Sequence, residues 1–235
     1  MILEDSTRYT LLLCSLPYLS PPLREERFIP PSRIQIGKAL KLLNEEDTVR
    51  MQRINAVLHW SHLPIERDDK AMMVEAEKLL LEETSAFLRE VVLERLELRT
   101  FIAAMRRREL NNMPQAGERW GIGRYTRRIL THWHDPAFGL GHVFGWLNEA
   151  VHLLRSGSTL ALDRLLMHES WRRLQRVEDC HNFGFDAVAL YVMRWNILDR
   201  LYRQHEEAAV IRFKSMVNDA LDDYQFIFES ESANG

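Results

Sequence analysis

Apolar side chains recur along most of this chain at three- and four-residue intervals, the period of a helix rather than the alternation of a strand. The clearest stretch is 67–108, which contains no Pro or Gly and places Leu80, Phe87, Val91, Leu98, Ile102 and Met105 at helical spacing. Asp68 and Asp69 stand at its start and Arg106, Arg107 and Arg108 at its end, as the helix dipole favours. Read as one helix it reaches roughly 60 Å at 1.5 Å per residue; a break near its middle is the alternative. Upstream, Ser32 suits the N-cap of a helix carrying Ile36, Ala39, Leu40 and Leu43 on one face, and a shorter helix is expected over 46–59. Downstream, helices are expected over 124–134, 143–156, 160–178, 185–206 and 208–228, with Asp186 and either Ser158 or Thr159 as N-caps.

Between these runs the pattern changes. Tyr9 to Leu16 is short and apolar, and periodicity does not choose among a strand, a buried segment and a turn or two of helix. Residues 20–32 carry Pro21, Pro22, Pro30 and Pro31 and read as an extended loop over the body. Residues 111–123 gather Pro114, Gly117, Gly121 and Gly123, the best candidate for a hinge. The expected organisation is all-α: an elongated bundle of long amphipathic helices, with an N-terminal lobe over 1–113, a C-terminal helical lobe over 114–228 and a frayed tail over 229–235. Leu98 to Ile102 and Met193 to Ile197 echo each other faintly, each late in a long helix.

Composition sharpens this picture by exclusion. At 235 residues the chain is long enough to bury a core without disulfides or a structural metal. Ten Gly and eight Pro are few for that length, which again favours helices. A formal net charge of −3 argues against a dedicated nucleic-acid binder. Only Cys14 and Cys180 are present, so neither a disulfide framework nor a zinc finger is indicated, and both are expected as reduced, partly buried thiols. No run of 18 apolar residues would span a bilayer, and Glu4 and Asp5 stand where a signal peptide would be basic. The expected location is therefore the cytoplasm.

Candidate chemistry is sparse. His132, His134 and His142, with Asp135 between them, could in principle ligate a metal. On a helix His132 and His134 point some 200° apart, and Pro136 forces Asp135 out of it, so packing and helix-end roles are the preferred reading. Gly121-Ile122-Gly123 lacks the rest of a phosphate loop, and no GxSxG nucleophile motif exists. The acid pairs Glu45-Glu46, Asp68-Asp69 and Glu82-Glu83 read as solvated helix faces. Charge placement says more. Seven Arg stand against two Glu over 106–128, whereas two basic residues stand against seven acidic ones over 204–235. Arg makes up 26 of the 31 basic residues, and its planar fork suits carboxylates and helix ends. Such a dipolar body can dock acidic and basic partners at different ends.

Several segments, in order, resemble a bacterial family of V/A-type ATPase C-like proteins, relatives of the vacuolar d protein. Tyr9 to Pro17 (YTLLLCSLP) resembles that family's opening, and Glu97 to Arg108 (ELRTFIAAMRRR) is similar to its long-helix segment. Asp135 to Leu140 (DPAFGL) resembles its "PDFGL" step, and Asn182 to Val188 with Ile197 to Arg200 resemble its close. Thr100-Phe101 departs from the usual Asn-Leu, and the glycine expected after Arg108 is missing. The resemblance implies an all-helical, non-catalytic component of the central stalk with no cofactor and no small-molecule substrate. Its partners would be the shaft and membrane-ring subunits, and it would sit at the inner membrane only through the complex. The chain is shorter than full-length members of the wider family, which implies two helical repeats where they have three. On this reading Arg106, Arg107, Arg108, Arg127 and Arg128 form the docking patch. A free-standing helical scaffold or regulator, and a metal-dependent helical enzyme, are the alternatives.

Overall fold

The computed structural model describes residues 2–22, 29–58, 69–177 and 183–204, and within them the fold is all-helical. In chain order the helices are α1 (Ile2–Ser15), α2 (Arg33–Leu40), α3 (Glu45–Leu58), α4 (Asp69–Glu82), α5 (Ala86–Glu109) and α6 (Thr126–Thr131). A short 3-10 turn (Pro136–Gly139), α7 (Trp146–Arg155) and α8 (Thr159–Arg176) follow, and residues 185–204 form α9. No described helix is long and apolar enough to cross a membrane. The expected helix over 208–228, the tail over 229–235 and Cys180 lie outside the described residues. Cys14 is exposed rather than partly buried.

Local chemistry explains most of the boundaries. Ser32 closes a full capping box on α2: its hydroxyl accepts from the Gln35 amide while the Gln35 side chain accepts from the Ser32 amide at 2.8 Å. The apolar stretch after Tyr9 proves to be helix, because Leu12, fully buried, and Leu13 pack on the core from α1. Stretch 67–108 is not one helix. It breaks at residues 83–85, where Glu83 is 4% exposed and far from a solvated face. The Glu83 carboxylate accepts from Arg50 at 2.5 Å and from the Ser85 amide at 2.9 Å, and its backbone carbonyl accepts from Arg89 at 2.6 Å. Ser85 then caps α5 by accepting from the Leu88 amide, and its hydroxyl donates to Asp186 at 2.7 Å. Asp186 therefore lies inside α9 and ties it to α5, where an N-cap was expected. Ser158 does hold the N-cap position of α8, but its hydroxyl accepts from Ser156 instead of a helix amide. Helix α6 is shorter than 124–134, since His132 already has non-helical dihedrals.

The described side chains bury two apolar cores. The first unites α1–α4, the N-terminal half of α5 (Leu88, Val91, Val92, Leu96), the C-terminal half of α8 (Met167, Trp171, Leu174) and α9. The second unites the C-terminal half of α5 (Leu98, Phe101, Ile102, Met105) with α6, α7 and the start of α8 (Leu162, Leu166). Thus α5 and α8 each run through both. The flanks of the proline-rich stretch lie on α9: Tyr191 donates to the Pro17 carbonyl and the Trp195 indole to that of Pro31, each at 2.7 Å.

Candidate functional site

The C-terminal half of α5 organises what surrounds it. Glu97, 2% exposed, receives the Arg124 backbone amide at 2.8 Å, and the Arg124 guanidinium at 2.9 and 3.0 Å. Its hydrogen bonds and charge, with help from Glu90, raise the Arg124 pKa against the opposing effect of burial. One helical turn on, Thr100 donates to the Ile122 carbonyl at 2.8 Å and accepts from the Ile122 amide at 2.9 Å. These bonds strap residues 121–124 flat onto the helix. The two glycines allow it: a Cβ on Gly121 would lie 2.6 Å from the Thr100 methyl, and one on Gly123 (φ +120°) 2.3 Å from Glu97. The segment expected as a hinge is fastened at this end.

Beyond the strap, the three terminal arginines of α5 diverge. Arg107 binds the connecting loop, donating to Glu118 at 2.6 Å and to the Asn112 carbonyl at 3.3 Å. Arg108 turns the other way, donating to the carbonyls of Asp135 (2.9 Å) and Trp133 (3.4 Å) with its guanidinium 4.5 Å above the Phe138 ring. Burial, and then the nearby Arg155, lower its pKa. Its target is a turn in which Ala137, Phe138 and Gly139 are all left-handed (φ +49°, +55° and +65°). Two consecutive non-glycine residues in that region are sterically costly, about 1–2 kcal/mol each, so the surroundings must hold them. They do: Phe138 is fully buried, Arg128 donates to the Gly139 carbonyl at 3.4 Å, and His132 Nδ1 lies 2.7 Å from Asp135.

This divides the sequence candidates by role. Half-buried Arg107 and Arg108 and exposed Arg128 brace loops, whereas Arg106 and Arg127, also exposed, make no side-chain hydrogen bond or ion pair among the described residues. His132 is engaged with Asp135. His134 lines a cleft of about 420 Å³ beside Arg108, Glu109 and Arg155, and His142 is exposed elsewhere. Among the described residues no three His, Cys, Asp or Glu side chains converge as metal ligands.

No family model, curated protein or solved structure matches the chain. The reading of the site therefore rests on its own geometry. A groove of about 620 Å³ lies between α4, the outer face of α5 and the loop before α6. Its apolar lining is Met73, half-buried on α4, over a floor of the buried Met72, Ala76, Leu96, Ile102 and Trp120. Four arginines, Arg99, Arg106, Arg107 and Arg119, line it against the single carboxylate of Glu118. Sequence reasoning found Arg106 and Arg107 through the arginine run. It missed Met72, Met73, Arg99 and Arg119, which come from three separate elements. The adjacent methionines were the one local signal available, since Met recurs at adaptable binding surfaces.

Proposed function

We propose that this chain is a non-catalytic helical adaptor, acting in the central stalk of a V/A-type ATPase to join shaft to membrane ring. The ordered resemblance to the C-like family of such ATPases motivates the assignment, and the all-helical fold agrees with it. The observation that carries it furthest is α5. It has 24 residues, about 36 Å at helical rise, with one half set in each core and an arginine run at its end. A helix gripped along its length by two packed bodies resists bending and twist, because deforming it would open both interiors. That is the property a torque-bearing coupler needs. The strap at Glu97 and Thr100 adds stiffness where the two cores meet.

The test is affinity purification of the tagged full chain from membranes of its own source, with co-eluting proteins identified by mass spectrometry. Shaft and ring subunits recovered in near-equal amounts are expected. Recovery of the clean chain without ATPase subunits would overturn the reading in favour of a free-standing scaffold. Metal content is a separate check. With His132 engaged by Asp135 and no three His, Cys, Asp or Glu side chains converging among the described residues, no stoichiometric metal should survive dialysis.

A further inference from the structure

We infer that the groove between α4, α5 and the loop before α6 is a docking site for an acidic amphipathic helix of a partner protein. Charge is the first argument. Its arginines outnumber its carboxylates four to one; Arg107 is paired with Glu118 at 2.6 Å, Arg119 with Glu77 at 3.2 Å, and Arg99 is engaged with Met72. Those pairs fix the rim in place. Arg106 lines the same groove, exposed, with no hydrogen bond or ion pair among the described residues. An occupant with carboxylates along one edge would complete it, Arg being suited to planar, bidentate pairing.

The apolar surface is the second argument. Half-buried Met73 is unbranched and polarizable, so it moulds to an incoming apolar ridge, with buried Met72 and Trp120 backing the groove behind it. Arg99, whose guanidinium donates to the Met72 sulfur at 3.1 Å, joins rim to floor. The secondary structure selects the form of the occupant. No strand exists among the described residues, so there is no sheet edge for an extended peptide to join. What remains is helix-in-groove recognition, in which apolar anchors at i, i+3, i+4 and i+7 enter the groove and flanking acidic residues meet the rim. This inference does not depend on the rotor assignment.

The test places p-benzoylphenylalanine at Met73 of the full chain and irradiates it in membranes of its own source, with the crosslinked peptide then sequenced. The expected product joins Met73 to an acid-rich segment of another protein with apolar residues at helical spacing. Its yield should fall about tenfold with Arg106→Glu and persist with Arg106→Lys. Circular dichroism and thermal melting of both variants establish that they are folded. The inference fails if the product lies in lipid, nucleic acid, a basic segment, the same chain or a second copy. It fails equally if Arg106→Glu leaves the yield unchanged, or if Met73 labels no more than the same probe at exposed Lys38 on α2. An acidic helix from a protein outside any ATPase would support the groove while ending the rotor reading. Co-purified ATPase subunits without that crosslink would do the reverse.

Discussion

Gly123 carries more of the site than any charged residue the sequence offered. Its φ of +120° and the 2.3 Å that would separate a Cβ from Glu97 mean that no other residue lets Arg124 reach the buried carboxylate. Gly123→Ala should cost about 2 kcal/mol or more, lowering Tm by roughly 5 °C. Gly37, inside α2 with nothing within 4 Å, gives the opposite sign: Gly37→Ala should stabilise by about 0.5–1 kcal/mol. Paired thermal melts check both. A second residue-scale prediction concerns protons. Burial pushes Tyr9 up to about 12, reinforced by its hydrogen bond to Asp47, and burial alone does the same for Tyr191. In both the folded state holds the proton longer than the unfolded chain. Their contribution is therefore complete below pH 10 and disappears between pH 10 and about 12. Phenolate absorbance should show two late-titrating tyrosines, and denaturation midpoints should fall over that window, less steeply in Tyr191→Phe.

At the scale of elements, the break between α4 and α5 separates what pattern could and could not reveal. Apolar periodicity runs through residues 83–85 without a Pro or Gly to interrupt it, and the local Ser85 cap is held in place by tertiary partners. Those are Arg50 from α3 and Asp186 from α9, far apart in sequence. Ser85→Ala removes both the cap and the bond to α9 and should cost about 1–2 kcal/mol, read as a shift in the urea midpoint. The end of α5 was more legible. Asn111 (φ +52°) and Gly157 (φ +69°) close α5 and α7 in the same way, the following amide returning to the carbonyl five residues back in each case. Ser32 declared itself as well, because its capping box lies within four consecutive residues. The left-handed turn at 137–139 did not. Nothing local favours Ala or Phe there; Arg108 and Arg128 impose it from other helices. The groove was hidden for the same reason, its parts being spread from Met72 to Ile122.

Across the whole molecule, sharing α5 and α8 between the cores governs stability. Separating the cores would require breaking both helices in mid-length, at the loss of packing on each side. Urea unfolding should therefore be a single transition, coincident by helix signal and by tryptophan fluorescence, since Trp residues sit in both cores. A biphasic fluorescence curve would mean that the cores melt separately. The same arrangement sets an order of assembly during synthesis. Among the described residues, those buried in the second core fall within 98–166, whereas the first needs residues 12–96 and then 167–201. The middle of the chain meets these partners first. Helices α1–α4 and the first half of α5 leave the ribosome able to pack only on one another, their shared core incomplete until the end of α8 and α9 follow, roughly 5–20 s later at ordinary elongation rates. For that interval the earliest-made part of this protein is the part most in need of a chaperone.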